Sequence, residues 1–267
     1  FDELLAICKR RGAALRIGVN HGSLAPAVME RYGDTPEGMV ASAMEFLRRC
    51  RAAAFDRVVL SVKSSNVRVM VQAYRMLAAA MRAEEMRYPL HLGVTEAGND
   101  REGRIKSAAG IGALLADGLG DTVRVSLTEA PEREIPVARM LADYFAGREN
   151  HAPIPAVDES LYSPYSYRKR PSEKIGGIGG DAQVAIWSEI PAAVRETLFE
   201  ADIRTVDRIP RGRIVLLKTN NLNGIAEQRA ALLTMAGRGL TNPVIIQRTY
   251  DESDPEVLQI KAAADLG

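Results

Sequence analysis

Short apolar runs alternate along this chain with amphipathic stretches, the rhythm of buried strands separated by packed helices. Residues 3–11 read as the end of a helix. The run Ala14-Leu-Arg-Ile-Gly-Val19, bounded by Gly12 and Asn20-His-Gly22, reads as a buried strand. A helix follows: Thr35 suits its cap, Pro36 its first position, and Met39, Ala43, Phe46 and Leu47 recur at helical spacing to about Ala54. Residues 56–62 form the next strand, and Val67, Val71, Tyr74, Leu77 and Met81 define a long amphipathic helix. A third strand spans 88–94, with Pro89 tolerated only at its start. Ile105, Ala108, Ile111, Ala113 and Leu115 mark another helix, ended by Gly118 and Gly120. Residues 122–127 form a fourth strand and 131–146 a further helix.

Strands separated by helices at this spacing require right-handed parallel crossovers, and their nearly continuous apolar character means that both sheet faces are covered. The fold class is α/β, built of parallel (β/α) barrel-type units. No GxGxxG follows a strand, so the barrel is favoured over the dinucleotide-binding open sheet, and four units make a partial TIM-like barrel. Residues 1–147 are expected to be the C-terminal half of a TIM-like substrate-binding barrel. Proline, tyrosine and glycine punctuate 148–182, which reads as a linker or long loop. The rhythm resumes in 183–267, part of an additional α/β domain, with strands at 183–187, 213–218 and 244–247 and helices at 191–200, 223–238 and the end of the chain.

Composition narrows the function. With 35 basic and 34 acidic residues the net charge is +1, which favours neither nucleic acid nor a membrane surface as partner, so phosphate chemistry must come from local clusters. No apolar run reaches spanning length, and a cytoplasmic protein is the expectation. The two cysteines, Cys8 and Cys50, lie in helical patterns without CxxC spacing and read as small core hydrophobes. The chain starts on Phe1 and stops soon after a helical stretch, which reads as a piece of something longer.

In parallel α/β folds, functional groups gather at the carboxyl ends of the strands. The first strand offers Arg16 and Asn20 with His21-Gly-Ser23, the second Lys63-Ser-Ser-Asn66, the third Thr95-Glu96, and the fourth Arg124 with Ser126. Three cations, one carboxylate and several small hydrogen-bonding groups suit an anionic, phosphorylated ligand, since Arg grips phosphate bidentately and Lys supplies a point charge. Arg16 and Arg124 lie inside their strands, where an unpaired cation costs several kcal/mol, so each needs an anion; Glu96 as a structural counterion is the competing reading. His91, mid-strand, reads as a hydrogen-bonded core residue. His151 and the run Arg168-Lys-Arg170 read as solvated, and Trp187 and the linker tyrosines as packing groups.

The wording at these strand ends is specific: Arg16-Ile-Gly-Val-Asn-His-Gly-Ser-Leu24, Ser61-Val-Lys-Ser-Ser65, Leu90-His-Leu-Gly-Val-Thr-Glu-Ala-Gly98, Lys106-Ser-Ala, and Asp117-Gly-Leu-Gly-Asp-Thr-Val-Arg-Val-Ser-Leu127. Together these resemble the 4-hydroxy-3-methylbut-2-enyl diphosphate synthase family, iron–sulfur oxidoreductases of non-mevalonate isoprenoid (terpenoid) biosynthesis, over about residues 1–145. The resemblance implies reductive opening of 2-C-methyl-D-erythritol 2,4-cyclodiphosphate on a barrel mouth. It implies that Arg16, Asn20, Lys63, Arg124 and Ser126 hold the diphosphate while Thr95 and Glu96 face the ring and its hydroxyls, Glu96 being the catalytic candidate. It also implies a [4Fe-4S] cluster in the full-length enzyme and ferredoxin or flavodoxin as electron donor. The cluster's ligands are not in this chain, which has no CPxC motif and no cysteine triplet, so the isolated chain is expected to be inactive and to hold no metal. Residues 150–267, with Asn220-Asn-Leu-Asn-Gly224, more loosely resemble the additional central domain of the family's long form.

Two other readings compete: the phosphate-binding barrel of a non-redox, pterin-type condensing synthase, and a purely structural fragment. Exposed parallel strand edges favour association between chains, with a homodimer the simplest case.

Overall fold

The computed structural model describes residues 1–161, 166, 168–183, 185 and 190–266. Most of the strand expected at 183–187, with Trp187, and the tyrosines Tyr162, Tyr165 and Tyr167 lie outside the described residues. The chain divides into two compact units, one of Phe1–Glu149 with Glu252–Gly267 and one of Asn150–Asp251.

In the first unit, α1 (Asp2–Arg11) turns through a left-handed Gly12 into β1 (Leu15–Asn20). There follow α2 (Pro26–Tyr32), α3 (Pro36–Ala52), β2 (Val58–Lys63), α4 (Val67–Ala83), β3 (His91–Leu92), α5 (Asp100–Ala116), β4 (Thr122–Val123) and α6 (Glu134–Ala146). The helix starts follow their capping chemistry. Thr35 Oγ1 accepts the Gly38 N–H at 3.1 Å with Pro36 in the first turn, and the Asn66 side chain accepts the N–H groups of Arg68 and Val69 at 3.0 and 3.3 Å. The short α2 buries no residue, so no apolar stripe announced it.

The four strands run parallel in sequential order. β1 pairs with β2 from Leu15–Val58 to Asn20–Lys63, a bridge joins Leu60 to Leu90, and β3 pairs with β4 through His91–Thr122 and Leu92–Val123. β3 and β4 are much shorter than the expected 88–94 and 122–127. Pro89 has no N–H for the ladder, and beyond the strands pairing continues only as separate bonds, Thr95 N–H to Ser64 O (3.2 Å) and Arg124 N–H to Leu92 O (2.9 Å). One sheet face is apolar: Ile17, Val19, Leu60, Val62, Leu92, Val94 and Val125 are buried against a helical layer that includes Leu47, Met70, Tyr74, Leu77, Ile111 and Leu114. Burying whole side chains of this size stabilises by roughly 1.5–3 kcal/mol each.

The second unit holds α7 (Ala192–Arg195), β5 (Phe199–Ala201), β6 (Val215–Leu217), α8 (Gly224–Gly237) and β7 (Val244–Ile246), its strands parallel in the order β5-β6-β7. The helix expected at 191–200 stops early because Phe199–Ala201 pairs with Val215–Leu217. Ala201, Val206, Val215, Leu217, Ala231 and Met235 form its core. Arg170 is half-buried and donates to the Leu240 and Asn242 carbonyls, so the basic run expected as solvated loop is partly structural.

The last helix, α9 (Pro255–Leu266), packs in the first unit although the sequence reading grouped it with residues 183–267. A Cβ on Gly112 of α5 would come within 2.5 Å of the Ala264 carbonyl oxygen, so α5 and α9 meet closely at a glycine. Arg104 binds Glu256 at 3.1 Å, and the buried Asp265 carboxylate takes Arg148 at 2.8 Å and the Tyr144 hydroxyl at 3.0 Å. Among the described residues no helix is long and apolar enough to cross a membrane.

Candidate anion-binding site

Because side chains alternate along a strand and paired residues of parallel strands share a face, the register places the second face of the first unit's sheet. One row across it is Asn20, Lys63, Gly93 and Arg124; the row below is Gly18, Ser61, His91 and Thr122; Arg16 lies one row lower still. Thr95 and Ser126 continue the same alternation above, each next to a buried valine, Val94 and Val125. Six of the seven expected site residues therefore share one polar face, opposite the apolar one. Glu96, the seventh, is exposed in the turn after β3 with φ 50°, a left-handed conformation that costs a non-glycine residue of order 1 kcal/mol or more.

The face is strongly cationic. Lys63 Cε and Nζ lie 3.6 and 3.8 Å from where a Gly93 Cβ would be, so the missing side chain at 93 makes room for the ammonium group. Burial, and after it the charges of Arg16 and Arg124, hold the Lys63 pKa below that of an ordinary lysine. Neither Arg16 nor Lys63 has a carboxylate within 4 Å among the described residues. Arg124 has one, Glu134 of α6, at 3.4 Å, and Glu134 also accepts the Leu127 N–H at 3.1 Å. The counterion expected at Glu96 is thus supplied to Arg124 by Glu134. The expected desolvation penalty is also absent, since Arg16 is exposed and the Arg124 side chain is 56% exposed.

One neighbour escaped the sequence reading. His91, expected as a core residue, stands on the polar face, its Nδ1 2.8 Å from Thr122 Oγ1 and its Nε2 buried without a partner. Counting back by twos from Thr95 was the available signal. His21, beside Asn20, has its Nε2 3.5 Å from the Asp34 carboxylate, which accepts the Gly22 N–H at 2.9 Å and so fixes the loop after β1. His151, expected to be solvated, is partly buried, its Nδ1 2.8 Å from the Ala152 carbonyl.

The donor set does not fit an iron–sulfur cluster. The chain has two cysteines, both buried, on α1 and α3, and burial pushes the Cys50 thiol up, away from the thiolate a metal needs. Among the described residues no group of three or more His, Cys, Asp or Glu side chains is placed to hold a metal ion. The arrangement suits reversible binding of a multiply charged oxyanion.

Comparison with known proteins places the chain in a family. The model of the GcpE TIM-barrel domain matches residues 1–139. A protein of Parabacteroides distasonis is 42% identical over 332 aligned positions, covering 100% of this chain and 54% of the relative. One of Phocaeicola vulgatus is 40% identical over 333 positions, with the same shares. One of Leptospira interrogans is 52% identical over 175 positions, 66% of this chain and 26% of the relative. All three are named 4-hydroxy-3-methylbut-2-en-1-yl diphosphate synthase (flavodoxin). The chain spans about half the length of the first two relatives. With its family model matched across more than half of its residues, this chain belongs to the GcpE TIM-barrel domain family.

Proposed function

We propose that this chain forms part of an oxidoreductase that converts 2-C-methyl-D-erythritol 2,4-cyclodiphosphate to 4-hydroxy-3-methylbut-2-enyl diphosphate, and that its first unit holds the diphosphate. The observation that carries this reading is the cluster of Arg16, Lys63 and Arg124 on one sheet face, with Glu134, beside Arg124, the carboxylate within 4 Å of them among the described residues. Such a cluster repels itself until an anion enters. Asn20 and Ser126 add neutral hydrogen bonds, while Thr95 and Glu96, above the cationic row, face the ring and its hydroxyls. The sequential order of the four parallel strands supports a partial barrel, since an open doubly wound sheet reverses its order. Asn150–Asp251 is read as the additional domain.

In the whole enzyme a [4Fe-4S] cluster held by residues outside this chain would supply the electrons, and flavodoxin, a word that the relatives' names carry, would be the donor. The chain's own residues bind and orient the anion and present the Glu96 carboxylate to the ring. The setting is cytoplasmic. Calorimetric titration with the cyclic diphosphate tests the reading. Saturable binding that weakens when Lys63 is changed to alanine supports it; equal affinity in wild type and Lys63→Ala removes the strand-end site.

A further inference from the structure

Among the described residues of the polar face, His91 is the group whose charge changes near neutral pH. It sits one row beneath Lys63 and Arg124 and one above Arg16. Beside it in the row, Gly18 leaves open space: a Cβ there would meet nothing within 4 Å. The backbone is fixed, because the buried Tyr74 hydroxyl of α4 donates to the His91 carbonyl and accepts the Val62 N–H. Nδ1 lies 2.8 Å from the Thr122 hydroxyl, which serves as acceptor as readily as donor. Nε2 is shielded from water and lacks a partner among the described residues, a costly state for a polar atom.

The charges around the ring are Arg16 on β1, Lys63 on β2 and Arg124 after β4; burial first, then these three, lower its pKa below the usual histidine value. Glu134 lies beyond Arg124, which it pairs, and Asp121 takes the Leu90 N–H beside the ring's residue. The free site therefore keeps His91 neutral. A diphosphate seated among Arg16, Lys63 and Arg124 reverses the local field and offers oxygens to a second N–H.

We propose that His91 is a positioning residue of the anion site, and that diphosphate binding is accompanied by uptake of one proton from solvent onto its ring. With both nitrogens protonated, Nδ1–H donates to Thr122 Oγ1 and Nε2–H faces the anion. This rests on the anion-site reading above and adds to it a protonation step.

The test is an NMR titration of the histidine rings of the whole chain, with and without inorganic pyrophosphate. The sequence has three histidines, so three ring signals are followed, and His91→Gln assigns one of them. The proposal expects the His91 titration midpoint to lie below that of an ordinary histidine in the free chain and to move up with pyrophosphate, while His21 and His151 move little. Calorimetry in buffers of different ionisation enthalpy should show net proton uptake in wild type and a smaller uptake in His91→Gln. Pyrophosphate that binds, shifting the backbone signals of Lys63 and Arg124, without moving the His91 midpoint overturns the proposal and leaves the anion site intact. Failure of pyrophosphate to bind overturns both. If His91→Gln does not fold, His21→Gln and His151→Gln assign the other two rings and so the third, and the wild-type titration decides.

Discussion

Under the proposed function, Arg124 is one side chain that would serve two states. In the free chain it is half in solvent and loosely paired with Glu134 at 3.4 Å, a contact worth little on its own. Its backbone N–H, bonded to Leu92 O, fixes where the guanidinium starts. A phosphate competes well for such a group because a charge-assisted, bidentate contact contributes about 1.5–3 kcal/mol. Arg124→Ala should therefore weaken cyclic diphosphate binding at least tenfold, while the midpoint of urea unfolding barely moves. Binding calorimetry beside a denaturation curve checks both halves, and unchanged affinity would reduce Arg124 to a partner of Glu134. The residue types of the site were legible in the sequence, since Arg16, Asn20, Lys63 and Arg124 follow from strand ends alone. Their pairing was not: Glu134 opens α6, ten residues beyond Arg124, and no spacing rule connects the two.

At the scale of elements, periodicity located β1, β2, α3, α4, α5 and α8 to within a few residues, because each combines an apolar repeat with a cap or a turn signal. It overstated β3 and β4, because Val94 and Val125 beyond them are buried without continuous ladder bonds, and it passed over α2, which buries nothing. The destination of α9 was invisible. What docks it are distant partners, Gly112 against Ala264, Arg104 with Glu256, and Arg148 with Asp265. The Asp265 side chain is fully buried and the Arg148 side chain is 11% exposed, with its guanidinium 4.3 Å from the Tyr144 ring centroid and 4.2 Å from that of Phe145. Removing one member of such a buried pair typically costs about 3–5 kcal/mol. Asp265→Ala should destabilise the first unit by that order in urea denaturation, whereas a change under 1 kcal/mol would show that the Arg148–Asp265 pair does not hold α9 in place.

For the whole molecule, the proposed function assigns anion binding to this chain and leaves the redox centre to residues outside it. The first unit gathers cations on one sheet face; the two cysteines sit on α1 and α3 within the hydrophobic core. A cubane cluster takes about four protein ligands, usually thiolates. Anaerobic reconstitution of this chain with iron and sulfide should accordingly leave no visible charge-transfer absorbance after desalting, and about four irons per chain or per dimer would contradict the donor-set argument. The central claim, that the polar face of the first unit is where a diphosphate binds, is tested most directly by a crystal structure of this chain with 2-C-methyl-D-erythritol 2,4-cyclodiphosphate. Phosphate oxygens are expected within hydrogen-bond distance of Lys63 Nζ and the Arg124 guanidinium, with the ring toward Thr95 and Glu96. Density for the ligand anywhere else, with Lys63 and Arg124 left in solvent, would contradict it.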